Sequence, residues 1–185
     1  MEEYRHLIEA SGAEKSGLVK LRDLTDPKVL DVLNYWYAQR GDRRMPSPDQ
    51  VNPADLRHAL PYMMMLQVDH DPFDISYRLI GEHIIDSHGG NFRGRSVREV
   101  DSVKPKLGSL LFELFKAVAE LRRPIGAGGE MEFGGGGYMK FQAAYMPLSY
   151  DGERTDRIVT VTSYRRVPVT ERFRDELVEI SGTYG

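Results

Sequence analysis

The sequence predicts a single α+β domain built on an antiparallel sheet, and three observations predict it. Residues 62–69 and 74–80 are β-patterned stretches joined by the turn Asp71-Pro72, the arrangement of an antiparallel hairpin. Residues 104–122 hold the strongest helical pattern, with Leu107, Leu110, Leu111, Leu114, Phe115, Val118 and Leu121 at steps of three and four. Three further stretches, 128–133, 138–148 and 157–164, alternate or run apolar as strands do. Runs of strands separated by a helical block give segregated helices and an antiparallel sheet rather than alternating βα units.

The elements follow in order. Residues 1–24 read as a weakly structured N-terminal extension, because Ser11-Gly12-Ala13 and Ser16-Gly17 interrupt any long helix. Asp26-Pro27 opens a helix: the carboxylate accepts from the free N–H groups of the first turn, and Pro fits the first helical position. Leu30, Leu33, Trp36 and Tyr37 give it an apolar stripe, and Gly41 is its stop. Asn52-Pro53 is expected to start a short helix through His58, and residues 82–88 another, stopped by Gly89-Gly90. Residues 91–100 read as a loop with at most a turn of helix. Pro124 ends the long helix, Gly134 to Gly137 is a flexible turn between strands, and residues 170–180 are expected to form a last helix. The expected organisation is an extension over 1–24, a domain over 25–166 and a C-terminal helix over 167–185.

Composition narrows the function classes. Apolar residues make up 41% of the chain, enough for a sizeable core, and the charged residues are mixed in sign with a net charge of −3. Nucleic-acid binding is not expected, since that calls for a clustered basic face. No apolar run reaches the roughly 20 residues of a membrane span. The start, Met1-Glu2-Glu3-Tyr4-Arg5, lacks the basic-then-apolar pattern of a secretory signal, so a cytoplasmic location is expected. There are no cysteines, which removes disulfides, thiolate nucleophiles and cysteine metal sites.

Two sets of residues carry a family resemblance. Tyr77-Arg78-Leu79-Ile80-Gly81, a short helix, then Gly94-Arg95-Ser96-Val97 with Glu99 resembles the strand–helix progression of PAS domains. Upstream, Leu33-Asn34-Tyr35-Trp36, Arg40-Gly41, Met45-Pro46, Asn52-Pro53 and Leu60-Pro61 resemble a family of bacterial single-domain PAS-type proteins. The resemblance covers about residues 20–166. It implies a five-stranded antiparallel sheet with a helical crossing, flanked by N- and C-terminal helices. It also implies a sensory or regulatory domain that binds a small molecule between sheet and crossing, or dimerises. The chain ends soon after the last expected helix, so output is expected in trans, through a homodimer or a regulatory protein partner.

No cofactor is named by the residues. Cysteine-adduct flavin chemistry is excluded by the composition. The long helix carries no histidine for a haem, which leaves His83 and His88 on the short helix before it as the nearby ligand candidates, and surface or hydrogen-bonded histidines as the plainer reading. Glu82, His83, Asp86 and His88 form a local metal-capable cluster, but the two histidines are five apart and do not share a helix face. Asp86-Ser87-His88 is consecutive, and triad partners meet in space rather than in sequence. The glycines from 126 to 137 precede a strand instead of opening a helix, so they make no phosphate cradle and read as a hairpin loop. Arg40, Arg43 and Arg44 form a small basic cluster, read as a solvated loop or the seat of an anion. The run Met63-Met64-Met65 suits a strand buried on both faces, as core packing or as a plastic pocket wall.

The expected pocket is lined by one face of strands 74–80, 138–148 and 157–164 and by the long helix. Its wall residues are Tyr77, Leu79, Phe112, Phe115, Phe141 and Tyr145. The terminal helices carry stripes suited to dimer contacts. The rival reading is a small cone-shaped α+β enzyme, isomerase-like or dehydratase-like, which needs an acid or base with a shifted pKa inside an apolar cavity. A third is an interaction module without ligand.

Overall fold

The computed structural model describes residues 17–133 and 137–168. Its elements are β1 (Gly17–Val19), α1 (Pro27–Arg40), β2 (Met63–His70), β3 (Phe73–Ile80), α2 (Glu82–His88), α3 (Leu107–Leu121), β4 (Ile125–Phe133), β5 (Gly137–Leu148) and β6 (Arg157–Val167). The strands form one antiparallel sheet in the order β1-β4-β5-β6-β2-β3. The hairpin and the three-strand meander therefore meet through β6 and β2 in the centre.

Both faces of this sheet are covered. Leu66, Val68, Ile75, Tyr77, Tyr145 and Ile158 point to one side and pack with Phe112, Phe115 and Val118 of α3 and with Ile84 of α2. Met63, Ala144, Met146, Leu148, Val159 and Val161 point to the other and pack with Val29, Val32, Leu33 and Trp36 of α1. The methionine run divides by parity, Met64 to the inner cluster and Met63 to the outer.

The outer helix is fastened at both ends. Asp26 caps it as its sequence suggests, accepting from the N–H groups of Lys28 (3.0 Å) and Val29 (3.3 Å). Its other carboxylate oxygen takes the Ser163 hydroxyl of β6 (2.7 Å), while Gln142 of β5 accepts from the Thr25 and Asp26 N–H groups (both 2.8 Å). Gln142 and Ser163 are cross-strand partners on the outer face, so the cap sits on a matched pair. Ten residues on, the Trp36 indole N–H donates to the Pro147 carbonyl (2.9 Å).

The structure departs from the expected elements at several points. A sixth strand comes from the segment expected to be weakly structured: β1 pairs Gly17 with Gly128 and Val19 with Gly126. The strand expected over 128–133 starts earlier, at Ile125, so Gly126 lies in β4 where β1 runs alongside, and a Cβ there would meet the Val19 carbonyl at 2.9 Å. In place of the helix expected over 52–58, residues 53–59 form consecutive turns. The long helix starts at Leu107, not 104, because Asp101 caps it from outside, accepting from the Gly108 (2.6 Å) and Ser109 (3.2 Å) N–H groups. The buried stripe of α1 is Val29, Val32, Leu33 and Trp36, with Tyr37 exposed. That stripe, expected to serve dimer contacts, is spent on the chain's own sheet. The expected helix over 170–180 and the turn over 134–136 lie outside the described residues. Among the described residues no helix is long and apolar enough to cross a membrane.

Gly81 joins β3 to α2 where the backbone of residues 60–61 crosses it. A Cβ there would fall against the Leu60 and Pro61 carbonyl oxygens, well inside 3.0 Å. Gly94, by contrast, has open space but a left-handed backbone, φ +80°. Gly81→Ala is therefore expected to destabilise by about 3 kcal/mol, since backbone cannot swing aside. Gly94→Ala should cost only about 1 kcal/mol, for φ alone. Urea unfolding of both variants checks the ranking; an equal loss would refute the steric account.

Candidate functional site

The inner core between the sheet and the helices α2 and α3 holds polar groups that its apolar side chains leave without partners. The Tyr77 side chain is fully buried, and its hydroxyl has no hydrogen-bond partner. His88, 5% exposed, packs edge-on to it with ring centroids 5.8 Å apart, and the histidine Nε2 is likewise unpartnered. On β6 the Thr160 hydroxyl is a third such group. Thr160 lies on the inner parity with Ile158, opposite Tyr145 and Met64. Buried polar atoms are nearly always satisfied, and each one left bare costs about 1–3 kcal/mol.

The bonds around Ser87 settle which histidine nitrogen is bare of hydrogen. Ser87 donates its proton to the Ile84 carbonyl (3.0 Å). Its oxygen accepts from the Tyr164 hydroxyl (3.3 Å), which leaves His88 Nδ1 (3.1 Å) as the donor in the remaining bond. Nδ1 thus carries the ring proton and Nε2 is an open acceptor. The ring is held neutral: burial, and then the Lys104 ammonium, lower its pKa to about 4. Lys104 itself donates to the Ser87 carbonyl. The neighbouring phenols stay protonated, Tyr77, Tyr145 and Tyr164 all being pushed up first of all by burial. The site therefore offers a hydroxyl donor at Tyr77 and an imidazole acceptor at His88, side by side in an apolar surround.

Of the six wall residues expected from sequence, Tyr77, Phe112, Phe115 and Tyr145 are buried in this inner cluster and Phe141 packs against it. Phe115 and Tyr145 meet edge to face at 5.6 Å. Leu79 is not among them: it is 44% exposed and lines a groove of about 440 Å³ on the outer side, with Leu60 and Met65. A β-bulge explains the difference. Met65 pairs with Leu79 but Leu66 pairs with Tyr77, so Arg78 is an extra residue and the alternation changes face across it. Ile80 replaces Leu79 against the inner cluster. His83, the other histidine considered, is exposed and stacked on Tyr62 at 4.3 Å. Among the described residues no three metal-capable side chains converge.

The family model described as a PAS domain matches residues 24–162, most of the chain, and the protein belongs to that family. PAS domains as a class are sensory and regulatory modules. A solved PAS domain, from Bordetella pertussis BvgS, is similar with 14% sequence identity and a TM-score of 0.45, over 66% of this chain and 89% of that one. No curated protein matches.

His88 gives the site a pH signature. Unfolded, the ring takes a proton near its ordinary value of 6.5; folded, only near 4. Between those values the unfolded chain binds the extra proton, so stability is complete above the upper value and falls as pH drops toward the lower. The loss is on the order of 3 kcal/mol. Asp151, held at about 2 by the Glu153 and Arg154 N–H groups and the Ser149 hydroxyl, acts only at lower pH. Chemical denaturation from pH 7.5 to 4.5 should show the decline in the native protein and a much flatter profile in His88→Phe. Parallel profiles would remove His88 as its source.

Proposed function

We propose that the chain is a sensory PAS domain whose inner space binds a neutral, largely apolar small molecule carrying one hydroxyl or amide group. The observation that supports it is the pair of buried, unpartnered atoms, the Tyr77 hydroxyl and His88 Nε2. A hydroxyl or primary amide accepts from the first and donates to the second, and both bonds gain strength in the apolar surround. The face of Tyr145, Phe115 and Phe141 supplies the apolar contact, and Thr160 a further polar one. An anionic ligand is disfavoured, because the inner wall presents a neutral imidazole and protonated phenols. The reading includes a cytoplasmic setting and output in trans, to a second copy of the chain or to a regulatory protein.

The enzyme reading has one observation in its favour: His88 is a base with a shifted pKa inside an apolar core, beside two tyrosines. It has one against it. Neutral at pH 7 but weakly basic, the ring abstracts protons poorly, and among the described residues no carboxylate bonds to it to raise its basicity. Binding is the better use of such a group.

Tyr77→Phe separates a site from a packing defect. Native mass spectrometry of the purified protein should show a bound small molecule in the parent chain, with occupancy falling several-fold in Tyr77→Phe and in His88→Phe. The ligand-free variant Tyr77→Phe should be more stable than the ligand-free parent by about 1 kcal/mol, because an unsatisfied hydroxyl is removed. Retention of the same compound by both variants at full occupancy, or no compound in the parent, would sink the proposal.

A further inference from the structure

The small basic cluster after α1 acquires distant partners in the fold. Arg40 ends α1 and Arg44 follows it; Arg122 and Arg123 follow α3. The helices lie on opposite faces of the sheet, yet these four arginines line one cavity of about 450 Å³, walled by Trp36 and Tyr37. Arg43 is drawn away, donating to the Gln50 side chain (3.2 Å).

Cations near a helix C-terminus offset the negative end of its dipole, which accounts for one arginine at each helix end. It does not account for four in one concavity. Among the described residues, none of Arg40, Arg44, Arg122 and Arg123 forms an ion pair with a carboxylate. Arg122 instead donates to the Glu153 backbone carbonyl (2.7 Å), which holds its guanidinium in place without neutralising it. Arg40 is braced against the Tyr37 and Trp36 rings, 5.4 and 6.0 Å from their centroids, and its Nε is buried with no hydrogen-bond partner. Like charges held together by packing, with a buried donor unspent, are stabilised by an anion between them.

We propose that this cavity is an anion site for a small molecule bearing two or more phosphate charges. Guanidinium forks match phosphate oxygens in pairs, and four of them exceed what a single carboxylate neutralises. The fixed Arg40 and Arg122 favour a compact ligand. The site is separate from the inner space around Tyr77 and His88, shares none of its residues, and does not rest on the reading given above.

Inorganic pyrophosphate is the probe. Calorimetric titration of the full chain should show one site, weakened as salt rises, as expected for exposed charges. Arg44→Glu with Arg123→Glu, both exposed positions, should lower pyrophosphate affinity by roughly tenfold or more while the unfolding midpoint is kept. Arg93→Glu, on the loop after α2 and outside the cavity, should leave it unchanged. Tyr77→Phe should also bind pyrophosphate normally, which separates failure at this site from failure of the inner one. The proposal is overturned by no binding at about 10 mM pyrophosphate. Equal loss in Arg93→Glu, or citrate binding as tightly as pyrophosphate, overturns it too, each marking an unselective basic surface.

Discussion

The constraint on which the rest of the structure depends is that the sheet is apolar on both faces. An antiparallel sheet can leave one face to water, with polar residues alternating on that side. Here β5 and β6 carry Ala144, Met146, Leu148, Val159 and Val161 on the side away from α3, so that side needs a lid of its own. The lid is α1, and its burial depends on being held in one register against the strands. The Asp26 carboxylate does this twice over, capping the helix with one oxygen and taking Ser163 with the other. A helix packed by apolar contact alone can slide; one whose first turn is bonded to Gln142 and Ser163 cannot without leaving buried polar groups bare.

Securing the outer face frees the inner one. Because α1 and the core around Trp36 bury the outer side chains, the inner face tolerates groups that a minimal core would not keep. Tyr77, Thr160 and His88 each leave a polar atom unpaired there. A core selected only for stability would hold Phe and Val at such places, since replacing an unsatisfied group by an apolar one of like shape is neutral or stabilising. Such violations of good packing cluster on one face, beside a neutral imidazole bonded to Ser87, and they are what the proposed ligand site rests on.

The fold was largely legible in the sequence because its signals are local. Alternation marked the five longer strands, the Asp26-Pro27 pair marked the start of α1, and leucine spacing marked α3. What escaped was whatever depends on a partner distant in sequence. β1 is three residues long and exists because β4 runs beside it. The first residue of α3 is set by Asp101, which reaches past the intervening loop to cap it. Asn52-Pro53 reads as a helix start, yet residues 53–59 cover the outer core as turns, with Leu56 and Ala59 buried.

The candidate site divides along the same line. Tyr77, Phe115 and Tyr145 could be placed because strand parity and helix spacing hold over short stretches. Leu79 could not, since strict alternation assigns it to the same face as Tyr77 and a bulge between their partners reverses that. Thr160 is on the parity of Ile158, but an apolar and aromatic criterion for wall residues passes over a threonine. His88 was visible as a residue and not as a site: its meaning comes from Tyr77 on the strand beside it and from Lys104 beyond the loop. The arginines are the extreme case. Arg40 and Arg44 look like a solvated loop until the two covering helices, one on each face, end at the same place and bring Arg122 and Arg123 beside them. The layered architecture makes that meeting, and no stretch of the chain read by itself contains it.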